Sequence, residues 1–365
     1  MRLINLLLFI PICLFADVVQ NDSTTSYLKD LEELGYCVIP NVLPLSETQE
    51  LYERVWHEFV EQAWPNCKMD DRSNWKEAFP MHNRWGIFAG PAGQTQVMWD
   101  LRQDPRIVAV FAQLWNTSDL IVSMDGLSLM CPSEIREGNI ELWPHVDQAV
   151  LKRLDHVAHN NNAPLDFVSE SSLSTNPYTI QGQFLFEDSF DGDGGFYCIP
   201  KSHLRFEEFA PSLEAITAMD ISRAERRKIR EIFLRSFFES HKDASENDYC
   251  IKHVTAPRGS LILWDSRTLH WNQHASKERV SNGLPKVRMV GYLCYVPKAR
   301  LTEENKILRE QIFRDGVSTG HNPAHPEAKT TKDHIHAGFE QYHEDPSYVQ
   351  PSINLTPLGE SLLGR

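Results

Sequence analysis

Two histidines and one aspartate hold the most chemical potential in this sequence. His145-Val146-Asp147 sets an imidazole two residues before a carboxylate. In an extended segment, side chains two apart project from the same face, so this pair can grip one metal ion. His270 lies far downstream, after Arg258-Gly259-Ser260, the apolar run Leu261-Ile262-Leu263-Trp264-Asp265 and Ser266-Arg267-Thr268-Leu269, which places it at the end of a strand. Two imidazoles and one carboxylate on one face of an octahedron leave three positions open, the arrangement of non-haem Fe(II) oxygenases. A structural zinc site would instead be closed by four ligands, usually with several cysteines, and no paired-cysteine motif is present.

The elements that must position these residues are mostly short strands. Runs rich in Val, Ile, Phe, Tyr and Trp occupy 120–130, 179–187, 195–199, 250–255, 260–265 and 287–296, separated by Gly, Asp and Pro. Helical patterns precede them at 27–34, 46–63 and 105–115, and a short strand is expected at 36–39. Many strands without alternating helices predict an antiparallel sandwich or barrel, not a doubly wound sheet. The expected organisation is one mainly β domain with flanking helices over 27–300, interrupted by a helical insertion at about 211–240. A C-terminal helix and loop-like extension follows over 301–365. The tail holds His321, His325, His334, His336 and His343, without regular ligand spacing, so no second metal site is expected there.

Fifty acidic against 36 basic side chains give a formal net charge of −14. That balance argues against a general nucleic-acid or anionic-membrane binder, which needs a concentrated basic surface. The cluster Arg223, Arg226, Arg227, Lys228 and Arg230 reads as a solvated helix face. Residues 1–16, MRLINLLLFIPICLFA, have the layout of a secretory signal peptide, too short to span a bilayer comfortably. A secreted or secretory-lumen protein is therefore expected, without stable membrane insertion after cleavage; an uncleaved segment would imply the cytoplasm. After cleavage six cysteines remain, of which Cys37, Cys198 and Cys294 sit in apolar runs, so at most one or two bridges are expected among six. Sequons at Asn21, Asn116 and Asn354 are candidate glycan acceptors.

Four segments together resemble the phytanoyl-CoA dioxygenase family. They are Glu33-Leu34-Gly35-Tyr36-Cys37-Val38-Ile39-Pro40-Asn41-Val42-Leu43, then His145-Val146-Asp147, the run from Asp191 through Gly194, Gly195 and Pro200 to His203, and Gly259 to His270. The resemblance implies a double-stranded β-helix core of the jelly-roll, cupin-like kind, Fe(II), 2-oxoglutarate and oxidative hydroxylation, with ascorbate as a candidate reductant. It makes His145, Asp147 and His270 the iron ligands and assigns an arginine of the next strand to the distal carboxylate of 2-oxoglutarate. A guanidinium fork suits that task because it binds a carboxylate bidentately and stays charged when partly buried. Arg288, at the start of a strand, is favoured over Arg279, in a polar loop.

Gln181 and Gln183 share one strand face opposite Phe184 and Phe186, and either contact cosubstrate or substrate or simply face water. Asn272, two after His270, is either a cosubstrate contact or a self-capping loop residue. His203 is expected to be structural, and Trp85, Trp99, Trp143, Trp264, Trp271 and Tyr292 to be mostly core. Retention of Asp147 disfavours halogenation, whose family members lack that carboxylate. Two functions follow as expectations: an oxygenase acting on a small-molecule or secretory-pathway substrate, or a secreted non-catalytic module on the same scaffold. Oligomeric state is not legible.

Overall fold

The computed structural model describes residues 23–75, 86–130, 143–148, 178–240, 251–275, 286–329 and 352–365. Outside them lie the expected signal peptide, Arg279, Trp85, Cys131, Cys250, Asn21 and the tail histidines His334, His336 and His343.

The strands pair into two main antiparallel sheets. The larger is seven-stranded, in the order β1 (Tyr36–Ile39), β8 (Leu261–Asp265), β5 (Ile180–Leu185), β10 (Arg288–Pro297), β4 (Leu127–Met130) and β2 (Ile87–Phe88), with β3 (Leu120–Val122) paired to the far end of β10. The smaller runs β7 (Lys252–Val254), β6 (Gly195–Cys198), β9 (His270–Gln273). Leu185, Ile262, Trp264, Val290 and Tyr292 of the larger sheet cluster with Phe196, Cys198 and Val254 of the smaller, so the two inner faces share one core. This is the expected double-stranded β-helix.

Alternation explains which side chains look inward. On β10, Val290 and Tyr292 point to the shared core while Met289 and Leu293 point out, towards the helices. That outer face is covered by α1 (Ser23–Leu34), α2 (Leu45–Val55), α3 (Gln96–Arg102) and α4 (Pro105–Trp115), whose Trp56-, Trp99- and Phe111-rich cluster is the largest body of core. The helical insertion is two helices, α5 (Phe206–Thr217) and α6 (Arg223–Ser240), which pack Phe209, Leu213, Leu234 and Phe238 on Trp271 and Leu269 of the smaller sheet's outer side. Beyond β10 come α7 (Glu303–Arg314), the small hairpin β11 (Ser318–Thr319) and β12 (Ala328–Lys329), and α8 (Pro357–Leu363).

Three sequence expectations are refined. The run 120–130 is two strands, because Met124 between them exchanges hydrogen bonds with Thr319: the Thr319 N–H donates to the Met124 carbonyl at 2.8 Å, and the Met124 N–H to the Thr319 hydroxyl at 3.0 Å. The 46–63 helix changes pitch, with a π turn at Trp56–Val60 before a last α turn. His270 does not end β8; it opens β9 in the other sheet. The intervening turn is set by Asp265, whose carboxylate accepts from the Arg267 backbone N–H, Nε and Nη2, each at 2.8 Å. Cys37, Cys67, Cys198 and Cys294 are free and buried, which leaves bridging to cysteines outside the described residues. Among the described residues no helix is long and apolar enough to cross a membrane.

Candidate metal centre

His145, Asp147 and His270 converge: each offers one ligand atom, all within 4.8 Å of one another. Their meeting is built by backbone pairing across the sheet corner. His145 and His270 form an antiparallel bridge, each N–H donating to the other's carbonyl at 3.1 and 3.0 Å. The Ser266 carbonyl, in the turn before His270, accepts from the N–H groups of both Asp147 and Gln148 at 3.0 Å. The same turn therefore holds the upstream ligand segment and launches the downstream ligand.

The imidazoles are oriented for coordination. His145 Nδ1 donates to the Trp143 carbonyl at 3.1 Å and His270 Nδ1 to the Thr268 carbonyl at 2.8 Å. A carbonyl only accepts, so in each ring the hydrogen sits on Nδ1 and the Nε2 lone pair is free. Both Nε2 atoms face Asp147, at 3.3 Å from Oδ1 and 3.2 Å from Oδ2. Lone pairs facing a carboxylate call for a cation between them, and imidazole-carboxylate sets of this kind suit a divalent transition metal. Burial lowers the His270 pKa, with His145 adding to the effect and Asp147 opposing it, so the ring stays neutral. Trp143 stacks on His145 at 4.3 Å and 9°, and its indole N–H donates to the Asn272 carbonyl at 3.1 Å, pinning ligand and strand together.

A second polar group extends from the metal ligands along β9 and β10. Arg288 is only 6% exposed, and its guanidinium donates to Ser128 Oγ at 2.6 Å, Gln183 Oε1 at 2.9 Å and Asn272 Oδ1 at 2.8 Å. The Asn272 amide donates in turn to the Tyr292 hydroxyl at 2.9 Å. Every one of these partners is neutral. Among the described residues no carboxylate pairs with Arg288, and burial lowers its pKa against the opposing influence of Tyr292. A buried cation with only neutral partners is costly, and an anionic ligand relieves that cost. Gln181 lies on the same face, with its carbonyl oxygen buried and unpartnered among the described residues.

The structure thus brings together His145, Asp147 and His270, and separately joins Arg288, Gln183 and Asn272; Asn272, set against self-capping in the sequence, is a strand residue bonded into this group. Trp99, Trp264 and Trp271 are core, whereas Trp143 and Tyr292 border the polar site. His203 is buried, its Nε2 donating to the Glu32 carbonyl at 2.9 Å. Sequence reasoning missed Ser128, Ser266, the Asp265–Arg267 pair and, from the tail, His321. Asp-x-Arg straight after an apolar strand was a readable turn cue; nothing in the spacing of His321 distinguished it.

The family model described as phytanoyl-CoA dioxygenase matches residues 31–282. A curated relative from Aspergillus versicolor, Ava biosynthesis cluster protein O, is 26% identical over 263 residues, 69% of this chain and 71% of its own. Among solved structures, the nogalamycin-biosynthesis epimerase SnoN is similar at 14% identity and a TM-score of 0.39, over 76% of this chain and 83% of its own. HygX from Streptomyces hygroscopicus, solved with nickel and 2-oxoglutarate, is similar at 16% identity and a TM-score of 0.40, over 74% of this chain and 86% of its own.

Proposed function

Since the chain belongs to the phytanoyl-CoA dioxygenase family, we propose that it is an Fe(II)- and 2-oxoglutarate-dependent oxygenase hydroxylating a small-molecule or secretory-pathway substrate, with release of succinate and CO2. The observation that carries this reading is the convergence of His145, Asp147 and His270 on one point. Iron with 2-oxoglutarate supplies the oxidising step, coupling decarboxylation of the cosubstrate to oxygen transfer onto a substrate C–H bond.

The protein's own residues hold and orient. His145, Asp147 and His270 would hold the metal, and a set of only three protein ligands would leave it open to cosubstrate and oxygen. Arg288 binds the distal carboxylate of 2-oxoglutarate, and Ser128, Gln183 and Asn272 keep the guanidinium aimed by accepting its remaining N–H groups. Gln181 has an unused buried amide oxygen on the same face, which supports a contact to cosubstrate or substrate. The buried guanidinium and its neutral partners support Arg288 as the anchor.

Purified protein is to be incubated with Fe(II), 2-oxoglutarate, ascorbate and oxygen, following succinate and a gain of one oxygen in candidate metabolites. The wild type should turn over and Asp147→Ala should not; normal succinate in that variant would remove Asp147 from its role. Absence of any thermal stabilisation of the wild type by metal or 2-oxoglutarate favours the non-catalytic module. The N-terminal pattern supports a secretory location, which N-terminal sequencing of the mature protein tests.

A further inference from the structure

His321 carries the same orientation as the two histidines of the metal centre, yet it belongs to the C-terminal extension, beyond the residues the family model matches. Its Nδ1 lies 2.5 Å from Asp125 Oδ2 and its Nε2 lies 3.6 Å from Asp147 Oδ2. Each ring nitrogen thus faces a carboxylate oxygen. The placement is built rather than incidental. Thr319 pairs with Met124 through two hydrogen bonds, the Ser318 hydroxyl donates to the Gly90 carbonyl at 2.6 Å, and the Gly320 N–H donates to the Glu327 carbonyl at 3.1 Å. The bend that breaks β3 from β4 presents Asp125 to this segment, and the Tyr292 ring stands edge-on to His321 at 6.3 Å. Among the described residues, His321 is outside the group of three mutually close ligand atoms, so it sits against the carboxylate and not in the ligand set.

We infer that His321, anchored by Asp125, is a positioning residue of the metal centre. It faces Asp147 Oδ2, the same oxygen that His270 Nε2 faces at 3.2 Å, and so fixes the rotation of that carboxylate between the two ligand histidines. The inference rests on the metal reading above. Without His321 the carboxylate would lose that contact, and the ligand set its fixed orientation. Partners of this kind that orient a ligating carboxylate are worth about 10- to 100-fold in metal affinity.

The test is Mn(II) titration of the full-length, metal-free protein by calorimetry, with the visible d–d spectrum of the Co(II)-loaded protein as a second readout. His321→Ala should bind Mn(II) about 10- to 100-fold more weakly and shift the Co(II) bands, His321→Gln should restore part of both, and Asp125→Ala should act in the same direction. The Asp125→Ala/His321→Ala pair should lose little more than either alone. Far-UV circular dichroism checks folding, and Asp125→Asn, which keeps the side-chain shape, serves if His321→Ala does not fold. Unchanged affinity and spectrum in folded His321→Ala overturn the inference and leave the metal reading intact. Wild-type protein that binds no metal overturns both, and a spin-echo signature of three coordinated imidazoles in the wild type overturns positioning in favour of direct ligation.

Discussion

Asp265 and Arg267, two residues apart, form a buried bidentate ion pair at the corner where the chain leaves the larger sheet and enters the smaller. Arg267 also lies over the Tyr178 ring at 4.1 Å. Between them, Ser266 offers its carbonyl to the Asp147 segment, so this corner is the scaffold on which all three metal-ligating side chains depend.

Asp265→Ala leaves Arg267 as an uncompensated buried charge and should cost about 3–5 kcal/mol of stability. Urea unfolding of the metal-free protein measures it. Asp265→Leu combined with Arg267→Met should recover much of the loss, because apolar replacement of a buried pair is often tolerated. A loss below about 0.5 kcal/mol, the scale of an ordinary surface change, contradicts the account.

Arg288→Met should separate stability from binding. Removing a buried cation with neutral partners should raise the unfolding temperature of the ligand-free protein, while the stabilisation that 2-oxoglutarate confers on the wild type should vanish. Loss of one partner of a buried charge pair costs about 2 kcal/mol or more, roughly 30-fold in affinity. Thermal shift with increasing 2-oxoglutarate reads both effects, and an undiminished shift in the variant excludes Arg288 as the anchor.

Gly35 has φ +81°, and a Cβ there would lie 2.4 Å from His203 Nδ1 and 2.5 Å from the Thr268 hydroxyl. Gly35→Ala should lose about 1–2 kcal/mol from the left-handed backbone alone, with more from the contact, measured by chemical denaturation. The effect should extend to metal affinity, since the Thr268 hydroxyl donates to the Gly35 carbonyl at 2.8 Å and Thr268 holds the His270 ring.

Burial lowers the pKa of both His203 and His253, away from the metal ligands. The unfolded chain takes up protons near the ordinary histidine value of about 6.5, and the folded chain only at lower pH. Between the two values the unfolded state binds more protons, so stability is present above about pH 6.5 and falls as the solution is acidified through the lower folded values. Unfolding temperatures of metal-free protein between pH 7.5 and 5 should decline, and His203→Gln should flatten part of that decline. A profile that His203→Gln leaves unaltered removes His203 from the explanation.

Local residue order by itself determined most strands and flanking helices, though not β2, α3 or the tail hairpin, since alternation on β5 and β10 and the apolar stripe of α4 are written in consecutive side chains. It also determined the ligand types: His145, Asp147 and His270 stand out because few residue kinds coordinate metals, while Arg288 is marked by the family resemblance, which asks for an arginine in the strand after His270. Tertiary structure decided what meets. That β9 lies in a different sheet from β8 follows from the buried Asp265–Arg267 turn. That Gln183 holds Arg288 follows from pairing of β5 with β10 across some hundred residues, and that Asn272 does so follows from the two sheets facing each other. His321 reaches Asp147 because a short tail hairpin replaces a strand partner at Met124. Such contacts leave no periodic trace, since they arise from packing between segments whose separation along the chain carries no information about their distance in space.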